Sequence, residues 1–191
     1  MPEPAPDSEV IVVGSGPNGL VAAAYLAMSG RRVTVREAAP TPGGGMRTAE
    51  LIEPGTRHDV CSAIHPLGVA AEAMRNLPLA DYGLEWIAPE VELANVIDGG
   101  GAGALRRSLD DTVAGLGRDG DAWRRLMGPL CDAGFELVDS LMSPFQVPPR
   151  HPIHLARYGI VGLQPATWYG RRFATDAASG LFGGLAAHAI L

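Results

Sequence analysis

The segment from Glu9 to Gly45 constrains the fold more than any other part of the chain. Ile11, Val12 and Val13 form a short apolar run, Gly14-Ser15-Gly16-Pro17-Asn18-Gly19 follows, and Leu20 to Met28 continues as an apolar, alanine-rich stretch of helical character. Val33-Thr34-Val35 is a second strand-like run that ends at Glu37. Strand, glycine turn, helix, strand and acid in this order raise G-x-G-x-x-G from a pattern that chance supplies in a glycine-rich chain to a dinucleotide-binding fingerprint.

Each position has a physical task. Gly14 allows the tight turn out of the strand, Gly16 lets the backbone approach a pyrophosphate, and Gly19 with Ala23 lets the helix pack close to the sheet. Ser15, Pro17 and Asn18 complete the loop, and the helix start turns its free amides and positive dipole end toward phosphate. Glu37 lies 18 residues after Gly19, the separation at which an acid meets a ribose diol. A carboxylate there disfavours a 2′-phosphate, which points to the adenosine half of FAD or NAD rather than NADP; Arg36 beside it is a counter-signal.

A second glycine cluster follows at once. Ala38-Ala39-Pro40-Thr41-Pro42-Gly43-Gly44-Gly45-Met46-Arg47-Thr48 sits where a plain NAD dehydrogenase needs no such loop. Together the two motifs resemble the flavoprotein group that includes phytoene desaturases and amine oxidases, in which the second strand ends in Glu-Ala, here Glu37-Ala38, and a Gly-Gly-x-x-Ser/Thr-like turn wraps the flavin side of FAD. Gly44, Gly45, Met46, Arg47 and Thr48 match that turn, and the resemblance implies a place near pyrophosphate and flavin for Arg47. Pro54 to Pro66 is similar to the strand that follows in bacterial phytoene-desaturase-like oxidoreductases of the pyridine nucleotide-disulfide oxidoreductase domain-containing protein 2 type. The motifs cover residues 9–66; a weaker likeness at Arg107 to Asp110 and Asp121 to Leu126 extends through most of the chain. His58 and His65 lie in this region, and lone histidines are more often structural than catalytic.

Composition narrows the class. A chain of 191 residues is long enough for one good core and somewhat more. Its net charge of −6 is spread without a basic block, which argues against nucleic acid as a partner. Met1 to Glu9 is acidic and proline-rich, reads as a disordered lead-in over residues 1–8, and lacks the basic and apolar regions of a secretory signal. No apolar run has the length of a membrane span, so the expectation is a cytoplasmic protein. Cys61 and Cys131 are 70 residues apart and form no C-x-x-C, so a dithiol redox centre is not supported; both read as small buried residues. The histidines and cysteines show no metal-ligand spacing such as H-E-x-x-H, and no metal is expected.

Beyond the motifs, Leu67 to Asn76 reads as a helix ended by Pro78. Leu84 to Ile87 and Val91 to Ile97 read as strands, and Asp98 to Gly103 turns the second into a hairpin with Ala104 to Arg107. Ser108 to Asp111 is a capping-box-like start of a short helix. Asp119 or Asp121 is expected to cap a longer one, on which Trp123, Leu126, Met127, Leu130, Leu137, Val138 and Leu141 form an apolar stripe and Pro129 a candidate kink. Pro144, Pro148, Pro149 and Pro152 mark a linker before two or three short helices, with Trp168, Tyr169 and Phe173 as an aromatic cluster and Thr175 to Leu191 as an apolar helix.

The expected fold is α/β: a Rossmann-type FAD-binding segment over residues 9–76, then a partial α+β substrate-binding region over 77–191, a hairpin followed by helices. The resemblance implies an FAD-dependent oxidoreductase that moves a hydride equivalent from a C–H bond of a lipophilic substrate to flavin, and it leaves room for peripheral membrane contact. No acid–base pair or nucleophile is evident. Proteins of that group are far longer and complete the flavin site with a late segment, so the chain reads as an N-terminal part, with a partner chain supplying the remainder as one arrangement. Three other readings stay open: an amine oxidase-like flavoenzyme, an NAD-dependent dehydrogenase, and an inactive nucleotide-binding fragment or subunit.

Overall fold

The computed structural model describes residues 9–144 and 146–188; the lead-in expected at 1–8 lies outside them, as do the last three residues of the apolar C-terminal stretch. The chain divides into two compact units, Met1–Leu79 and Ala80–Leu191.

The first unit begins with β1 (Glu9–Val13), α1 (Pro17–Met28) and β2 (Arg32–Arg36). The strands pair in parallel, Glu9 opposite Arg32 through to Val13 opposite Arg36, which requires a crossover, and α1 is that crossover. Proline at the first turn of α1 suits a position whose amide has no helical partner. Glu37 is the first residue beyond β2. A single 3-10 turn (Gly44–Met46) leads into β3 (Thr48–Ala49), which pairs antiparallel with β4 (His58–Asp59). The helix expected over Leu67 to Asn76 is in fact two short pieces, α2 (Pro66–Ala70) and α3 (Glu72–Arg75), because Ala71 takes an extended ψ of 124°. The phenol of Tyr25 on α1 donates to the Ala73 carbonyl at 2.9 Å and fastens this end of the unit. Among the described residues β1 pairs with β2 alone, and Ile11 and Val13 are left exposed.

The second unit is built on the hairpin β5 (Val91–Val96) and β6 (Ala102–Arg106) with α4 (Leu109–Gly115), α5 (Gly120–Met142), α6 (Pro152–Gly162), α7 (Ala166–Gly170) and α8 (Asp176–Ala187). Its core gathers Leu116, Trp123, Leu126, Phe173, Ala178 and Leu181. Ser108 caps α4 by accepting the Asp111 amide at 2.9 Å, and Thr175 caps α8 by accepting that of Ala178 at 3.3 Å, each satisfying an amide the helix cannot. No helix among the described residues is long and apolar enough to cross a membrane.

Further expectations fail in this unit or across the chain. Leu84 to Ile87 is not a strand: it has the apolar pattern but pairs with no strand among the described residues. Asp119 stands at the start of α5 without capping it. Its carboxylate instead accepts the Ala174 amide at 2.9 Å, the Thr175 amide at 2.7 Å and the Thr175 hydroxyl at 2.5 Å. Burial pushes its carboxyl up, but these bonds and Arg118 outweigh burial and hold it below the ordinary value. The break in α5 falls at Gly134 (φ 48°, ψ −130°) rather than Pro129, since only glycine enters that backbone region cheaply. The apolar stripe follows suit: Trp123, Leu126 and Leu137 are buried, while Leu141, beyond the break, is exposed. Cys61 and Cys131 are both exposed free thiols rather than core residues.

Trp123, 0 % exposed, anchors the second unit. Trp123→Ala is expected to lower its unfolding free energy by about 3–5 kcal/mol, and Asp119→Ala, which removes the carboxylate that the Ala174 and Thr175 amides donate to, by about 1–3 kcal/mol. Leu141→Ala is expected to stay within about 0.5 kcal/mol. Urea titration of the three variants checks the order; an equal loss at Leu141 would contradict the core as described.

Candidate dinucleotide site

The site grows from the end of β1. Gly14 turns the chain with φ +91°, and its amide donates to the Arg36 carbonyl at 2.7 Å, which ties the turn to the end of β2. A side chain on Gly19 would strike the Gly14 carbonyl, so α1 starts pressed against the turn. Gly16 is different: a Cβ there would meet nothing within 4 Å. It faces open space, where a bulky group can approach the backbone. The helix beginning at Pro17 has no side-chain cap at Gly16 and no acid in its first turn, so its first amides are free to face an anion.

Ser15 is the joint of the site. It is 2 % exposed. Its amide and hydroxyl donate to Glu37 Oε2 at 2.7 and 2.6 Å, and its carbonyl accepts the Gly43 amide at 2.9 Å. The Ala39 amide donates to Glu37 Oε1 at 2.8 Å. The Ser15 hydroxyl, followed by the Ala39 and Ser15 amides, holds the Glu37 carboxyl down to about 2 from an ordinary 4.5. Glu37 therefore stays anionic, and it is exposed beside Ala38 at the outer edge of the loop.

The second glycine cluster folds onto the first. A Cβ on Gly44 would come within 2.8 Å of the Gly16 Cα, so only glycine allows the two loops this approach. The rest of the turn is fixed from behind. Arg47 Nε donates to the Gly44 carbonyl at 2.9 Å; the Val60 and Ser62 amides donate to the Arg47 and Gly45 carbonyls at 2.8 and 2.9 Å; and the Thr48 hydroxyl donates to Asp59 Oδ1 at 3.0 Å. Met46 is partly exposed. The structure thus brings Gly14, Ser15, Gly16, Glu37 and Gly44 into one cluster, with Pro17, Asn18 and Gly19 opening the helix from it. Arg47 and Thr48 are spent on holding the turn, and Ser15 faces inward. Sequence reasoning missed Gly43, which makes the hydrogen bond between the loops. His58 lies in β4 with its Nε2 buried and unpaired, and His65 precedes α2.

Residues 12–77 match the NAD(P)-binding Rossmann-like domain family. The first unit has that fold. Among characterised proteins, the chain is 31% identical over 110 residues to a subunit of the limonene dehydrogenase of Castellaniella defragrans, covering 58% of this chain and 20% of that protein. It is 33% identical over 116 residues to the dihydrolipoyl dehydrogenase of Bacillus subtilis, covering 57% of this chain and 23% of that protein. The matched stretch therefore spans about a fifth of either relative. The chain carries a Rossmann-like dinucleotide-binding domain similar to those of dehydrogenases.

Protonating Glu37 costs the folded state its bonds to Ser15 and Ala39. Because the folded value is depressed, the stabilisation is complete above about 4.5 and is lost as pH falls through about 2. The gap in melting temperature between wild type and Glu37→Gln is expected to be constant from neutral pH to the upper end of this window and to close below it. A gap that ignores pH would mean that the carboxylate charge is not what holds the loop.

Proposed function

We propose that this chain is the dinucleotide-binding part of an FAD-dependent oxidoreductase of the phytoene-desaturase-like class. The observation that carries the reading is the seating of the second glycine cluster on the first, Gly43 amide to Ser15 carbonyl and Gly44 against Gly16. An NAD site needs the first loop alone; a longer dinucleotide whose second half runs past the pyrophosphate has use for both. The residues fit such a group: open space over Gly16, uncapped amides at the start of α1 and an anionic Glu37. In this reading Gly14, Gly16 and the α1 amides hold the pyrophosphate. Glu37 accepts from the ribose hydroxyls, keeping lone pairs beyond those that Ser15 and Ala39 occupy. Gly44 to Thr48 support the flavin side. The bound flavin would supply a two-electron acceptor, and the protein's work is to bind, orient and exclude water.

A lipophilic substrate is supported by two observations. The relative named limonene dehydrogenase takes its name from an apolar hydrocarbon. Within the second unit, an open cleft of about 590 Å³ between α7 and α8 is lined by Phe173, Phe182, Ala186 and Ala187 among others. The same relative is one subunit of its enzyme by name, and β1 leaves Ile11 and Val13 uncovered; both support a further segment or partner chain that completes the enzyme.

The test is the absorption spectrum of the purified chain, before and after incubation with FAD. Bound FAD is expected, and Gly16→Val is expected to abolish uptake without lowering the melting temperature, because the new side chain fills open space rather than protein. Uptake of NAD but not FAD would overturn the flavin reading, and unchanged FAD binding by Gly16→Val would overturn the assignment of this loop.

A further inference from the structure

Sequence spacing gives no reason to expect a metal in this chain, yet the fold of the second unit assembles a ligand set far from the glycine loops in sequence. Glu136 lies on α5, His151 immediately precedes α6 and His154 is in its first turn. Nδ1 of His151 and Nε2 of His154 each lie 3.3 Å from the same oxygen, Oε2 of Glu136, and the three ligand atoms all lie within 4.8 Å of one another. We propose that Glu136, His151 and His154 form a binding site for a divalent transition-metal ion of the Zn²⁺ type.

The distances carry the argument. Donors at about 2.0–2.1 Å around a tetrahedral ion stand roughly 3.3–3.4 Å apart. Both His–Glu separations have this value, and the two imidazole nitrogens lie within 4.8 Å of each other. Without an ion, two rings converge on one carboxylate oxygen, and each must present an N–H to it. An ion replaces those two hydrogen bonds with three coordination bonds. Two imidazoles and a carboxylate are the donor set of open zinc sites, with the fourth position left for water. Here Glu136 is exposed and both histidines half-buried, so water and metal have access. Nδ1 of His154 is buried without a hydrogen-bond partner, so the Glu136 side is the ring's one polar anchor among the described residues.

Local backbone geometry makes the cluster. Gly134, with φ 48° and ψ −130°, breaks α5 two residues before Glu136 and so sets the direction in which the following turn presents its side chains. Pro152 starts α6, which fixes His151 just ahead of the helix and His154 one turn along on the same side. An ion held between them would clasp the second half of α5 to the start of α6 across the proline-rich linker.

The experiment is calorimetric titration of the tag-free, chelator-stripped full chain with Zn²⁺, with Co²⁺ absorption as a coordination reporter. One saturable Zn²⁺ per chain is expected, with a tetrahedral-type Co²⁺ spectrum. At a hundredfold excess over Kd the melting temperature should rise by about 5–10 °C. Glu136→Gln and His154→Gln are expected to weaken binding at least about tenfold, with circular dichroism unchanged, whereas His65→Gln leaves it intact. Absence of saturable binding to the wild type overturns the proposal, and so does binding that persists in the His151→Gln/His154→Gln double variant. Should a variant lose its fold, the Co²⁺ spectrum of the wild-type chain decides: a spectrum without imidazole coordination overturns the site. None of these readouts depends on a bound dinucleotide.

Discussion

The first unit depends on Ser15. One buried residue joins three segments: its amide and hydroxyl go to Glu37 at the end of β2, and its carbonyl to Gly43 in the second glycine cluster. Hydrogen bonds to an ionised group are the stronger kind, and here three of them converge on one carboxylate. The consequence is a rigid floor: the first loop cannot move without pulling on β2 and on the second loop. A dinucleotide site needs such a floor, because phosphate is recognised by backbone amides whose directions must be set before the ligand arrives. The polar residue of the glycine motif works inward, and the glycines on either side of it are what face outward.

Glu37 clamps the loop, and in the proposed reading the same carboxylate, placed after β2, would also meet a ribose diol. Its exposed carboxylate has lone pairs beyond the three bonds from Ser15 and Ala39. Its depressed pKa is the signature of the clamp. The second unit uses the same device in its interior. Asp119, 4 % exposed, gathers the amides of Ala174 and Thr175 and so ties the start of α5 to the segment entering α8, next to the Trp123 core.

Much of this was legible in the chain. Residues 9–37 read correctly as strand, turn, helix and strand because each signal is local: β-branched runs, glycine spacing and a proline at the first turn of the helix. The hairpin at Val91 to Arg106 and the Ser108 cap were legible for the same reason. Two of the errors share a cause as well. Leu84 to Ile87 has a strand's composition but no paired strand among the described residues; Asp119 has a cap's position but finds better partners 55 and 56 residues away; Pro129 has a kink's reputation, but the break was taken by Gly134. In the first two cases a non-local partner, or its absence, overrode a local preference; in the third one local preference, glycine's, prevailed over another.

The sequence by itself determined that a βαβ unit with two glycine loops begins this chain, since periodicity and glycine placement fix backbone conformation over a few residues at a time. Tertiary structure alone decided that Ser15 faces inward, that Gly43 and Gly44 close onto Ser15 and Gly16, and that Glu136 meets His151 and His154. Those juxtapositions depend on how separate elements pack, and a side chain's spacing along the chain carries no information about what will be folded against it.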